Sequence, residues 1–134
     1  MIVAITFVDA SEEKIIHNAE NVYTKGKMLV VRQQDWLWKY PLMNVSMVRR
    51  SIDGDHEYIA KKEANIEIRV IPLHSAAEKI FTNAQDVGTK GDMIYIQRGD
   101  WMYGFPLCNV FSVCHKHGAH WGSRAMKKQD NIED

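Results

Sequence analysis

The second half of the chain carries thiol and imidazole side chains whose chemistry suits a metal ion. Cys108, Cys114, His115, His117 and His120 offer more ligands than a tetrahedral zinc site needs. Five residues separate the two cysteines, however, whereas zinc fingers place about two to four between theirs. We therefore predict no metal ligands, and a metal-assisted enzyme built on this cluster stays a third alternative for the function.

Two aspartates, Asp35 and Asp100, stand at the start of two similar stretches, DWLWKYPLMNV and DWMYGFPLCNV. Paired carboxylates can serve as general acid and base, but aspartate is also a common turn residue. The sequence has no nucleophile elbow, dinucleotide-binding glycine pattern or metalloprotease helix. It therefore predicts a protein that is not an enzyme, with no catalytic residues and no cofactor.

Two loops, TKGK at residues 24–27 and TKGD at residues 89–92, place a lysine beside a glycine and a hydroxyl group. Backbone amides and an ammonium group in this arrangement can hold a phosphate, although the P-loop spacing is absent. We predict Lys25, Gly26, Lys90 and Gly91 as ligand-binding residues, with ordinary turn chemistry as the alternative. If the loops face each other, they suit a ligand with two phosphates.

Aromatic residues alternate in the two similar stretches, which places them on one face of a strand. Such a face can stack bases in a protein that binds single-stranded nucleic acid. The two stretches belong to two similar copies within the chain, and Lys39 and Arg49 of the first copy become Gly104 and Cys114 in the second. The basic part of a nucleic-acid site is therefore not repeated. We expect the rings to pack mainly in a core or between the copies, and we keep as candidate ligand-binding residues Trp36, Trp38, Tyr40, Trp101 and Tyr103.

The similar stretches belong to a tandem duplication. With an offset of 65, residues 13–48 and 78–113 are identical at 17 of 36 positions. Apolar residues alternate within each copy, for example at Val3, Ile5 and Phe7, which predicts strands. Residues 11–22 fit a strand or a capped helix; we favour the strand, and the helix would make the fold α+β.

We therefore predict an all-β protein of two tandem, small antiparallel repeats of SH3-like or open-barrel type. The repeats cover residues 1–50 and 66–114, with a linker at 51–65 and a polar tail at 115–134. Residues 28–31 and 93–96 are apolar on both faces of their strands, so each copy has a second surface to cover. We expect the copies to pack as a pseudo-dimer, and self-association of the whole chain stays open.

The composition narrows the choice of partners. Among 134 residues there are 17 basic and 17 acidic side chains, so no overall charge attracts nucleic acid or an anionic membrane. No run approaches the roughly 20 apolar residues of a membrane helix, and the start of the chain does not resemble a signal peptide. With only two cysteines, we expect a cytoplasmic protein without a membrane partner.

The segments KYPLMNVSMV and GFPLCNVFSV resemble a pattern found in short proteins of bacteriophage genomes. The resemblance covers about the last third of each copy, and those proteins are typically single copies. It implies a small β domain that modifies host processes, and it transfers no catalytic residue. We expect a non-enzymatic binding protein in the host cytoplasm that engages a host protein, or sequesters a small phosphorylated ligand, to inhibit a host activity such as defence. The alternative is a single-stranded nucleic-acid-binding protein.

Overall fold

A computed structural model describes residues 1–10, 12–52, 65–75 and 77–117. The first copy comprises β1 Val3–Phe7, β2 Glu13–Ile16, β3 Asn21–Lys25, β4 Met28–Gln33, β5 Trp36–Pro41 and β6 Val45–Ser51. The second copy comprises β7 Ile66–Pro72, β8 Lys79–Ala84, β9 Asp86–Lys90, β10 Met93–Arg98, β11 Trp101–Pro106 and β12 Val110–His117. One 3-10 turn follows β5 at Leu42–Asn44 and another follows β11 at Leu107–Asn109. The all-β prediction is confirmed.

Both copies follow the same plan. In the first, β1 pairs with β2 and β6 while β3, β4 and β5 form a meander; in the second, β7 pairs with β8 and β12 while β9, β10 and β11 form the meander. All pairs are antiparallel. The strand predicted within residues 11–22 is confirmed by β2 and the start of β3. Between them, Asn18 takes a φ of 58°, as does the equivalent Asn83 of the second copy, a conformation that asparagine tolerates better than most residues.

The copies are joined by one edge-to-edge strand pair. β6 of the first copy pairs with β11 of the second, in a register that aligns Trp101 with Ser51 and Gly104 with Val48. A six-stranded sheet results, in the order β2-β1-β6-β11-β10-β9, beside the three-stranded sheets β12-β7-β8 and β3-β4-β5. The sheets of the described residues are open, and the SH3-like type of each repeat stays a prediction.

Each copy has its own core, and the two cores use equivalent positions. Leu29 and Val31 of β4 lie in the first core, and their equivalents Ile94 and Ile96 of β10 lie in the second. Each core is completed by a methionine from the other copy. Met93 of β10 is buried in the first core, whereas Met47 of β6 is buried in the second. The apolar residues on both faces of β10 are explained in this way, because the strand separates the two cores.

The strands extend slightly beyond the predicted repeats. β6 ends at Ser51 and β12 ends at His117, rather than at residues 50 and 114. Most of the predicted linker, and the predicted tail from residue 118, lie outside the described residues. None of the helical segments in the described ranges has the length and hydropathy that crossing a membrane requires.

Candidate ligand-binding cleft

A cleft of about 710 Å³ opens between the two copies. One wall is the β3–β4 hairpin of the first copy, and the other is the face of the six-stranded sheet formed by β6, β11, β10 and β9. Its volume is within the range of about 300–1,000 Å³ found for small-molecule sites. Its polar or flexible lining residues include Tyr23, Thr24, Arg50, Asp86, Gly88, Lys90, Tyr95, Gln97 and Met102.

Gln97 is the residue of the cleft that most needs an explanation. Strand alternation places it on the face of β10 that also carries Met93 and Tyr95. Its side chain is 1% exposed, and neither Nε2 nor Oε1 has a hydrogen-bond partner in the described part of the chain. A buried amide without partners costs about 1–3 kcal/mol. Both atoms are shielded from solvent, so a ligand group that accepts and donates a hydrogen bond would remove this penalty after the side chain turns toward the cleft.

Gly88 of β9 leaves room in the cleft. It occupies the position of Tyr23 in the first copy, and a Cβ atom built on it meets no atom within 4 Å. Neither a positive φ nor a close neighbour requires glycine here, and a glycine inside a strand often marks the approach of a ligand. Gly104 of β11 differs, because its Cβ would lie 2.9 Å from Met93 Cε and 3.2 Å from Val48 Cγ1.

The charges of the cleft favour a small anion with polar groups. Arg50 and Lys90 contribute positive charge, and Asp86 contributes a carboxylate whose Oδ1 accepts a hydrogen bond of 3.0 Å from the Val87 amide. Burial raises the pKa of Tyr95, an effect that the positive charge of Arg50 partly opposes. The Tyr95 phenol is therefore neutral at physiological pH and available as a hydrogen-bond donor or acceptor.

The two TKG loops lie side by side. Lys27 Nζ is 3.6 Å from Asp92 Oδ1, and a Cβ built on Gly91 would be 3.9 Å from Thr24 Oγ1. Lys90 and Gly91 line the cleft, whereas Lys25 and Gly26 are exposed and are not among its lining residues. The structure thus brings one predicted Lys-Gly pair to the cleft and leaves the other outside it.

The aromatic residues of β5 are divided between the surface and the first core. Trp36 is 66% exposed. Trp38 and Tyr40 are partly buried against the core, where Tyr40 packs 5.4 Å from the Phe7 ring. Trp38 Nε1 donates a hydrogen bond of 3.2 Å to Gln33 Oε1. These three rings therefore do not form one exposed stacking face.

The aromatic residues of β11 have different roles, since Tyr103 packs within the second copy and Trp101 contacts the first. Tyr103 packs against the second core, 4.8 Å from the Phe81 ring. The Arg49 guanidinium of β6 lies 4.4 Å from the centre of the Trp101 ring and donates two hydrogen bonds, of 2.9 and 3.0 Å, to Glu13. The pKa of Glu13 is lowered, chiefly by this hydrogen bonding. The three side chains connect β2, β6 and β11.

The residues considered for metal or acid–base chemistry do not assemble. Cys108 and Cys114 are exposed and free, and within residues 1–10, 12–52, 65–75 and 77–117 no three His, Cys, Asp or Glu side chains are placed to hold a metal ion. His120 lies outside the described residues. Asp35 and Asp100 are exposed in the turns of two different hairpins.

Comparisons with models of protein families, with curated proteins and with solved structures found no match. The chemistry of the cleft is therefore the basis for a proposed function, and the resemblance to bacteriophage proteins stays a hypothesis.

Gln97, Asp86 and Gly88 were not predicted from the sequence. The sequence carries a signal for two of them, Gln97 and Gly88. Gln97 is a polar residue that shares its strand face with Met93, and Gly88 replaces a tyrosine inside a strand of the other copy. Neither signal locates a cleft until the opposite wall, contributed by the first copy, is known.

Proposed function

We propose that the protein is a non-enzymatic binding protein that holds a small phosphorylated ligand in the cleft between its two copies. The observation that carries the proposal is the Gln97 side chain, whose amide is buried at the cleft without a hydrogen-bond partner in the described residues. Proteins accept such a destabilising group when function requires it. A ligand with adjacent hydrogen-bond donor and acceptor groups would satisfy both ends of the amide once the side chain turns toward the cleft.

The positively charged groups of the cleft would bind the phosphate of the ligand, while Gln97 would bind its hydrogen-bonding groups. Lys90 and Gly91 lie at one end of β9, where Gly91 forms a tight turn. Arg50 lies on β6 opposite Met102, in the same row of the sheet as Gln97. A phosphate is recognised by cationic side chains together with backbone amides. A nucleotide combines both requirements, because its base presents donors and acceptors and its phosphate carries the charge.

Removal of such a ligand from solution would deprive a host enzyme or receptor of it. This inhibitory role in the host cytoplasm is supported by the sequence resemblance alone, as is engagement of a host protein. The cleft favours the ligand-sequestering form of the hypothesis, because it is a concave site with convergent polar groups.

Titration calorimetry of the full chain with nucleoside monophosphates, ribose 5-phosphate and inorganic phosphate tests the proposal. We expect a nucleotide to bind more tightly than either phosphate alone. Lys90→Ala should weaken binding about tenfold, which corresponds to about 1.4 kcal/mol, while Lys25→Ala at the equivalent position should leave it unchanged. Gly88→Leu should abolish binding without loss of stability, because the new side chain occupies the cleft.

The results that would contradict the proposal are equally specific. If none of these compounds binds at millimolar concentration, the cleft has no such ligand. If Lys25→Ala and Lys90→Ala weaken binding equally, the ligand does not occupy the cleft.

A second candidate function is binding of single-stranded nucleic acid, which the exposure of Trp36 favours. This ring borders a shallower cavity of about 610 Å³ together with Arg32, which is 3.3 Å from Glu20. One exposed ring provides stacking for one base. Quenching of tryptophan fluorescence by an oligonucleotide, lost in Trp36→Ala and in high salt, would support this candidate.

A further inference from the structure

Because the two copies have the same strands, the pairing of β6 with β11 has a possible equivalent between β12 and β5. The described residues do not form this second pair. By the offset of 65 residues, β6 corresponds to β12, and β11 corresponds to β5. The observed register therefore translates into an antiparallel pair of β5 and β12 in which Trp36 faces Lys116 and Lys39 faces Val113. In the described residues, however, β5 pairs only with β4, and β12 pairs only with β7.

Both unpaired edges expose large apolar side chains. On β5, Trp36 is 66% exposed and Leu37 is 52% exposed, and on β12 Phe111 is 70% exposed. The translated register ends at Lys39 and Val113, so Phe111 lies just beyond it. Edge strands with open backbone groups and apolar side chains are templates for pairing with another chain.

The contact between the copies is asymmetric, because each copy contributes a different surface to it. Asn109 Nδ2 of the second copy reaches three main-chain oxygens of the first, 3.0 Å from Leu42 O, 3.0 Å from Met43 O and 2.7 Å from Val45 O. The equivalent Asn44 is exposed. The same difference separates Leu42, which is 3% exposed, from its equivalent Leu107, which is 42% exposed.

A contact of this kind is heterologous, since the surface of one copy binds a different surface of the other. One complementary pair of surfaces is then left over, on β5 of the first copy and on β12 of the second. When chains assemble through a heterologous contact, they form either a closed ring, in which every such surface is paired, or an open filament.

We propose that β5 of one chain binds β12 of a second copy of the same chain, antiparallel and in the register of the β6–β11 pair. The second copy is the occupant because the chain already contains a working example of this pairing between equivalent strands. Two chains that exchange both edges form two such pairs and leave neither β5 nor β12 open. This inference is independent of the proposed ligand.

Sedimentation of the full chain over a range of concentrations tests the self-association. We expect Leu37→Lys to raise the dissociation constant about tenfold or more, because a lysine there faces His115 and lies beside Lys116 of the partner. The control is Ile80→Lys, since Ile80 is also 52% exposed but lies on β8, an edge strand that is not part of the proposed β5–β12 pair. A protein that remains monomeric, or equal effects of the two variants, would overturn the proposal.

A cysteine trap tests the register. One chain carries Trp36→Cys and a second carries Lys116→Cys, with Cys108 and Cys114 replaced by serine in both. Mild oxidation of the mixture should join the two chains, and Met43→Cys in place of Trp36→Cys should join them much less. If a single chain with both new cysteines forms an internal disulfide and the mixture forms none, the two edges meet within one chain and the proposal fails.

Discussion

Replacement of the Gln97 amide should make the ligand-free protein more stable. Methionine has a similar length and no polar group, so Gln97→Met keeps the packing of β10 and removes a buried amide that lacks partners in the described residues. The penalty of about 1–3 kcal/mol for such a group predicts a gain of about 1–2 kcal/mol after partial relaxation. For a chain of this length, the gain corresponds to a rise in Tm of about 4–8 °C.

The matched control is the same substitution at a satisfied glutamine. Gln33 Nε2 donates a hydrogen bond of 2.7 Å to His17 O, and its Oε1 accepts one of 3.2 Å from Trp38 Nε1. Gln33→Met should therefore lower the free energy of unfolding by about 1–2 kcal/mol. Urea denaturation of both variants measures the two changes, and the signs should be opposite.

A saturating ligand should make the native protein more stable than Gln97→Met. At about 100 times its dissociation constant, a ligand stabilises the native protein by about 2.7 kcal/mol, whereas Gln97→Met should gain little. If Gln97→Met instead destabilises the ligand-free protein as much as Gln33→Met does, the amide is hydrogen-bonded in solution. The reasoning that links it to a ligand would then be refuted.

Three further substitutions test the contacts between strands. Asn109→Ala should lower the free energy of unfolding by about 2–3 kcal/mol, because buried carbonyl groups lose their donor, whereas Asn44→Ala should change it by less than about 0.5 kcal/mol; similar losses would contradict the one-directional contact. Gly104→Ala should cost about 1–3 kcal/mol through overpacking, while Gly88→Ala should be neutral or gain about 0.5–1 kcal/mol, and urea denaturation separates them. The pKa of Glu13 is lowered from 4.5 in the folded protein, so its stabilising effect is present above that value and is lost as the pH falls through the folded pKa. Between about pH 6 and pH 3, the free energy of unfolding of Glu13→Gln should therefore fall by on the order of 1 kcal/mol less than that of the native chain. If the free energies of unfolding of the two proteins fall equally over this range, the stabilising role of Glu13 is contradicted.

The strands could be predicted from the sequence because their signals are local. Alternation of apolar residues and the turn residues around Gly26 and Gly91 mark the ends of each strand, and the duplication gives every signal twice. Which strand of one copy pairs with which strand of the other could not be predicted. Strand pairs that are distant in sequence depend on the packing of whole sheets, and the identical TKG loops give no sign that only Lys90 and Gly91 reach the cleft.

The same asymmetry predicts one site of this kind in the described residues, although the fold contains two copies. The position of Gln97 is taken by Arg32 in the first copy, where the guanidinium is exposed and 3.3 Å from Glu20. The position of Gly104 is taken by Lys39, so the equivalent surface lacks both the buried amide and the glycine against which Met93 and Val48 pack. Calorimetry should therefore give one bound ligand per chain, including in a dimer formed through β5 and β12. Two ligands per chain would mean that the equivalent positions bind as well, and that the unpartnered Gln97 amide is not what selects the ligand.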